Sequence, residues 1–166
     1  MGALGFYNSG NKYSYKGATP LTDAMFGIRY IISNDEIWAS NLSLCEQTEN
    51  KYIYENQQNL ALGYMVNPGV TQWKIVEGDP FVTQNDFVRM ATDTQGAMFI
   101  PLETGEPQVT DGMLTSTGED KYYYERHGSG GSLTWQLTFT EQQDVYIYFE
   151  AIHCEKLKVT IDGKTE

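Results

Sequence analysis

The chain has 166 residues, of which 40% are apolar and 13% aromatic, and its 11 basic and 22 acidic side chains give a net charge of −11. A chain of this length can bury roughly 70% of its unfolded surface, so a folded core is expected and a disordered chain is excluded. The acidic charge repels phosphate backbones and anionic lipid headgroups, which argues against a nucleic-acid partner.

The first third of the chain carries alternating turn, helix and strand signals. Residues 5–17 mix glycine, asparagine and tyrosine without a helical period, which predicts an extended, turn-rich start. Residues 21–27 offer a capping residue, a hydrophobic staple and a glycine stop, and these predict one or two helical turns. The β-branched and aromatic residues 28–33 predict a well-buried strand.

Later segments are mostly strand-like, with one exception. Asp79 is a good N-cap and Pro80 suits the first helical position, so residues 79–91 predict one helix packed on a sheet. The spacing of the strand segments is typical of a sandwich or curled barrel. The predicted strands are residues 51–54, 62–66, 97–100, 121–126, 132–140, 145–151 and 157–161.

The C-terminal third has the clearest strand patterning. Apolar and polar residues alternate over 132–140, which predicts a long strand that covers a core. Residues 146–149 are apolar on both faces, as in a central strand. The sequence therefore predicts a mainly-β fold, a β-sandwich or jelly-roll-like domain with one or two short helices, with α+β as the fallback.

The end of the chain carries a hairpin signal. A strand at 157–161 runs into Asp162-Gly163, the strongest short-range hairpin pair, and no returning strand is predicted after it. We interpret the chain as a piece of a longer polypeptide.

Residues that could carry chemistry are sparse. Two buried free thiols are expected for Cys45 and Cys154, with one long-range disulfide as the alternative. His153 and Cys154 are neighbours on a strand and point to opposite faces, so they form no dyad. A zinc site from these residues and His127 lacks close-spaced ligand pairs. We predict no catalytic residue, no metal and no cofactor.

Two further motifs favour structural roles. The glycine-rich residues 127–132 precede a strand, whereas a phosphate-binding loop opens a helix. Acidic residues are scattered over predicted turns, and a glycoside hydrolase would need two of them about 5 to 10 Å apart across a cleft.

Aromatic residues are the candidate ligand-binding groups. Tyrosine and tryptophan combine a flat apolar face with a polar group, which suits stacking on sugars. A run of three tyrosines on a strand must place at least one outward, although packing at a sheet edge is the alternative role. The candidates are Tyr122, Tyr123, Tyr124 and Trp135.

Four blocks in order resemble the YfhO-like bacterial membrane proteins. They are GFYNS at residues 5–9, PLTDAMFGIRYII at 20–32, LALGYMV at 60–66 and DPFVTQN at 79–85. The resemblance implies that residues 1–166 are one extracytoplasmic β-rich domain. Within it, residues 1–92 form a motif-bearing half with the helices, and residues 93–166 form a tyrosine-rich β half.

The resemblance implies a parent protein with many membrane spans and a C-type glycosyltransferase architecture. Such proteins are associated with sugar transfer from a lipid-phosphate carrier to envelope polymers such as teichoic acids. The chain would be an accessory domain on the extracytoplasmic face of the membrane, with the membrane-spanning part of its own chain and a glycan as partners. The alternatives are a free-standing carbohydrate-binding β-sandwich and a glycoside hydrolase fragment.

Overall fold

The computed structural model describes residues 2–9, 12–13, 15–118, 121–128, 130–139, 141–150, 160–161 and 164–165. Within these residues, two α-helices and two 3-10 helices accompany eleven short strands, which confirms the prediction of a mainly-β domain with one or two short helices. The described strands pair antiparallel into five small sheets.

The helices are α1 (Pro20–Met25), α2 (Pro80–Thr92) and the 3-10 helices Gly2–Leu4 and Pro68–Gln72. The strands are β1 (Asn8–Ser9), β2 (Lys12–Tyr13), β3 (Tyr30–Ser33), β4 (Leu42–Gln47), β5 (Tyr52–Asn56), β6 (Gln108–Thr110), β7 (Gly112–Gly118), β8 (Lys121–Arg126), β9 (Ser132–Thr134), β10 (Thr160–Ile161) and β11 (Lys164–Thr165).

Both predicted helices are confirmed. The Asp79 carboxylate accepts the backbone N–H of Val82 at 2.9 Å, and Pro80 opens α2 as expected. Helix α1 begins one residue before the predicted segment, because Thr19 is its N-cap and forms a reciprocal capping box with Thr22.

A three-stranded sheet has the order β3-β5-β4. The central strand β5 places Tyr54 in the core at 4% exposure. Strand β3 is confirmed, but its predicted burial is wrong, since Tyr30 and Ile32 are exposed. The physical reason is the alternation of the strand: Ile31 and Ser33 are half-buried, whereas Tyr30 and Ile32 lie on the face of the sheet that meets solvent.

The remaining strands form two-stranded ladders. The tyrosine-rich strand β8 is confirmed and pairs with β7. Strand β9 pairs with β6, and β1 pairs with β2. Strand β10 pairs with β11, so the short returning strand that the sequence analysis did not predict is present.

The predicted long strand at 132–140 is wrong in length, because regular pairing ends at Thr134. Thr134 lies opposite Gln108, and the next residue of the partner segment is Pro107. Proline has no backbone N–H to donate, so the ladder cannot continue along that segment. Residues 135–139 follow without strand pairing, and residue 140 lies outside the described residues.

Three other predicted strands are not strands. At 97–100, the backbone N–H groups of Met98 and Phe99 both donate to the Asn85 side-chain oxygen at 2.9 Å, so a helix side chain takes the place of a partner strand. Residues 62–66 and 145–150 also lack strand pairing. Residue 151 and residues 157–159 lie outside the described residues.

The interior that joins the helices to the N-terminus is polar. Gln84 is fully buried on α2. Its side-chain oxygen accepts the Thr19 hydroxyl at 2.6 Å, and its amide donates to the Leu4 carbonyl at 3.1 Å. Among the described side chains, no buried nitrogen or oxygen atom lacks a hydrogen-bond partner. We call the contacts among Gln84, Thr19 and Leu4 the glutamine clamp.

Replacing Gln84 tests this clamp. Gln84→Ala leaves the Leu4 carbonyl without its donor and removes the acceptor of Thr19, and it also opens a cavity. We expect a loss of about 2 to 4 kcal/mol in the free energy of unfolding, measured by chemical denaturation. Gln57→Ala, at an exposed position, is the matched control and should change it by less than about 0.5 kcal/mol. Equal effects of the two variants would contradict a structural role for the clamp.

Candidate functional site

A cavity of about 550 Å³ lies where four parts of the chain meet. They are residues 15–23 with α1, Ile31 of β3, residues 37–42 before and into β4, and residues 142–146. Its volume falls within the range of about 300 to 1,000 Å³ that is common for small-molecule sites. Because aromatic rings and carboxylates share its wall, we call it the aromatic–carboxylate cavity.

One wall is formed by the pair Tyr15 and Asp23. The Tyr15 hydroxyl donates to Oδ1 of Asp23 at 2.6 Å, and Asp23 is 4% exposed at the inner side of α1. Burial raises the pKa of the Asp23 carboxyl, and the hydrogen bond from Tyr15 opposes part of that shift. Asp23 is therefore a carboxyl group whose charge the protein stabilises less than water does.

A second wall comes from residues 142–146. Oδ2 of Asp144 accepts two hydrogen bonds from Ser40, one from the backbone N–H at 3.0 Å and one from the hydroxyl at 2.6 Å. Burial raises the pKa of Tyr146 to about 12, with further contributions from the charges of Asp144 and Asp23. The Tyr146 hydroxyl therefore remains protonated at neutral pH and can act as a hydrogen-bond donor.

Helix α2 supports this wall from behind. The ring of Tyr146 meets Phe99 edge to face, with centroids 5.6 Å apart, and Phe99 packs against Phe81 of α2 at 5.2 Å. Asn85 donates from its side-chain amide to the Phe99 carbonyl at 2.8 Å. The position of Tyr146 is thus set by contacts that lead back to α2.

The outer rim carries Trp38, whose side chain is 83% exposed. An indole with this exposure gains nothing from the core, so it is available to a ligand. Nearby, Asn41 is buried and donates to Asn56 of β5 at 3.3 Å, which fixes the segment after Trp38 to the sheet.

The cavity combines flat apolar surfaces with groups that accept and donate hydrogen bonds. Trp38, Tyr15 and Tyr146 supply rings, and Asp23 and Asp144 supply carboxylates. This combination suits a ligand with apolar C–H faces and many hydroxyl or amine groups. Two carboxylates line the cavity, and a glycoside hydrolase would need them about 5 to 10 Å apart across it.

The tyrosines proposed from the sequence do not form one surface. Tyr122 meets Trp135 edge to face with centroids 6.0 Å apart, and Tyr124 donates its hydroxyl to the Thr110 carbonyl at 3.3 Å. Tyr123 lies on the other face of β8 and is 59% exposed, as expected for a strand with one outward tyrosine. Ligand binding by these four residues stays a prediction.

Only some of the residues in the cysteine and metal predictions lie within the described part of the chain. Cys45 is a free thiol on β4 and is exposed, so the expectation of burial is wrong for this residue. Strand β4 is the other edge of its sheet, and this position leaves Cys45 open to solvent. His153 and Cys154 lie outside the described residues. No group of three or more potential metal ligands occurs among the side chains that the structure describes.

Sequence reasoning missed the aromatic–carboxylate cavity. Its residues come from segments more than 100 positions apart, as the contact between Ser40 and Asp144 shows. One local signal was Trp38, which lies between Ile37 and Ala39 and outside every predicted strand.

Comparison with known proteins gives a single clear result. The fold and site define a mainly-β domain with an aromatic–carboxylate cavity, and the chain matches the family described as "Bacterial membrane protein YfhO" over residues 1–166. The chain belongs to the YfhO family of bacterial membrane proteins. Neither the curated proteins nor the solved structures contain a match. In the described part of the chain, no helix combines the length and hydropathy needed to cross a membrane.

The pH dependence of stability tests the burial of Asp23. Because its pKa in the folded state lies above the ordinary 3.8, the native protein holds this proton more tightly than the unfolded chain, and stability falls as the pH rises through that range. Asp23→Asn has no carboxyl to ionise at this position, so it does not lose stability in this way as the pH rises. Its free energy of unfolding relative to wild type should therefore increase from pH 3.8 upward, as measured by denaturant unfolding at a series of pH values.

Tyr15→Phe is the matched variant for this measurement, because it removes the hydrogen bond that lowers the pKa of Asp23. Its own stability should fall more steeply with pH than that of wild type. If the advantage of Asp23→Asn instead shrinks as the pH rises, the hydrogen bond outweighs burial and the assignment is reversed.

Proposed function

We propose that this chain is an extracytoplasmic accessory domain of a polytopic YfhO-family protein and holds a sugar unit of an envelope polymer in the aromatic–carboxylate cavity. Family membership supports the membrane context. The observation that carries the proposal is the exposed Trp38 at a cavity lined by the buried carboxyl of Asp23 and the exposed carboxyl of Asp144. The parent protein would transfer the sugar from a lipid-phosphate carrier, with its reacting groups in the membrane-spanning part.

The charge of the cavity limits the class of ligand that it can bind. Among its described lining residues, two carboxylates face one basic side chain, Lys16. A phosphate group would meet repulsion from these carboxylates and from a chain with a net charge of −11. The cavity therefore favours a neutral or amine-bearing sugar, such as a substituent of a teichoic acid, over the phosphate backbone of such a polymer.

Sugar titration tests the cavity. We expect N-acetylglucosamine or glucosamine to bind the chain in calorimetric titration, and glycerol phosphate to bind less well. Trp38→Ala should weaken binding about tenfold or more, since it removes the stacking surface. Trp135→Ala is the matched control, because this tryptophan packs on Tyr122 away from the cavity lining. It should leave the affinity unchanged.

The same titration separates the alternatives. Loss of binding in Tyr123→Ala with no loss in Trp38→Ala would move the site to the tyrosine strand β8. A hydrolytic role is the second candidate, because Asp23 and Asp144 line one cavity and the raised pKa of Asp23 suits a general acid. Binding without release of a cleaved product would exclude it. If none of the tested sugars binds the chain in these titrations, the proposal of sugar binding is wrong.

The exposed thiol of Cys45 allows a test of location. In bacteria that produce the full-length protein, a membrane-impermeant maleimide should label Cys45 in intact cells, because a thiol on the extracytoplasmic face is open to the medium. In a Cys154→Ser background, Cys45→Ser should remove the signal that comes from this domain. Labelling that requires lysis of the cells would place the domain on the cytoplasmic side.

A further inference from the structure

The segment between β5 and the 3-10 helix Pro68–Gln72 exposes an unusual amount of apolar surface. Leu62 is 95% exposed and Met65 is 100% exposed, and Leu60, Tyr64 and Val66 are also exposed. We call residues 60–66 the apolar loop. Single exposed apolar residues are common, but a contiguous set of this kind marks an interaction surface.

The charge pattern sets this loop apart from the rest of the chain. Residues 56–73 contain no charged side chain, although 20% of the chain is charged. The remaining surface carries the net charge of −11 and is repelled by an anionic bilayer. The apolar loop is therefore a face on which the domain can approach a membrane without electrostatic repulsion from the loop itself.

The loop is held outward by contacts at its two ends. The N–H of Asn67 donates to the carbonyl of Ala91 at the end of α2, at 2.7 Å. At the other end, Gly27 follows α1 with a φ of +62°, and a β-carbon there would lie 3.3 Å from the Leu60 carbonyl oxygen. Tyr64 reaches back to the Met25 carbonyl at 3.5 Å. These contacts present Leu62 and Met65 to the outside instead of to the core.

We propose that the apolar loop contacts the lipid bilayer, with Leu62 and Met65 entering the boundary between headgroups and acyl chains. The chain belongs to a family of membrane proteins, so a bilayer is adjacent to it in the full-length protein. A few apolar side chains are too few to anchor a protein, but they suffice to orient a domain that is already held at the membrane. Leucine, methionine and an amphipathic tyrosine suit that boundary.

This orientation brings the cavity near the membrane. Helix α1 lines the cavity through Asp23 and contacts the loop through Met25. The two residues lie two positions apart on one short helix, so the loop and the cavity contact the same element. A ligand in the cavity would be held close to the bilayer surface.

Site-specific labelling tests the proposal. In a chain with Cys45→Ser and Cys154→Ser, a polarity-sensitive dye is attached through Met65→Cys, and a terminal histidine tag tethers the chain to vesicles of phosphatidylcholine, phosphatidylglycerol and a nickel-chelating lipid. We expect a blue shift of the dye emission and quenching by lipids spin-labelled on their acyl chains. The result should hold with the tag at either end.

Two variants make the result specific. A dye attached through Thr117→Cys, at an exposed position on β7, should stay in water and remain unquenched. Leu62→Asp in the chain labelled at position 65 should abolish the shift, while its denaturation midpoint shows that the fold is retained. The proposal is overturned if the dye at position 65 shows no blue shift and no quenching, like the dye at position 117, with the tag at either end.

An experiment on the full-length protein distinguishes whether lipid or membrane-spanning protein covers the apolar loop. Reconstituted with the same label at position 65, it should show a blue shift together with quenching by the spin-labelled lipids. A blue shift without quenching would mean that membrane-spanning helices cover the loop, and this result would also overturn lipid contact.

Discussion

The structure depends on the hydrogen bonds of one side chain, the amide of Gln84. It joins the Thr19 hydroxyl at the start of α1 and the Leu4 carbonyl near the N-terminus to the body of α2, across 65 and 80 positions of sequence. A buried amide without partners would destabilise the fold, so the three segments stabilise one another through this side chain. Few described apolar residues are fully buried, and this polar contact supplies specificity that a larger apolar core would otherwise provide.

The two helices that the clamp joins, α1 and α2, both position walls of the cavity. Thr19 caps α1 and thereby sets the turn of helix that carries Asp23. On the other side, α2 holds Phe99 through Asn85, and Phe99 holds Tyr146. A change at Gln84 would therefore move two walls of the cavity at once, although Gln84 does not line it. Thr19 belongs both to the clamp and to the cavity lining, whereas Gln84 acts on the cavity only through the residues it contacts.

Local chemistry predicted part of the fold, and long-range contacts decided the rest. Asp79 and Pro80 predicted the start of α2 because an N-cap and its following proline act within one turn. The end of β9 could not be predicted from its own alternating residues, since it depends on Pro107 in the partner segment. The cavity escaped prediction for the same reason: the contact between Ser40 and Asp144 has no counterpart in local sequence.

The distribution of charge connects the cavity to the membrane context. An acidic surface keeps the domain away from anionic lipid and from polymer phosphates over long distances, whereas apolar contact acts only at close range. A domain with this surface is held off the bilayer everywhere except at an uncharged face. The loop at residues 60–66 contacts α1 at the Met25 carbonyl, and Asp23 of the same helix lines the cavity. In the proposed arrangement, the repulsion that would set the orientation would also select against phosphate at the cavity, so orientation and ligand selection would have a common electrostatic origin.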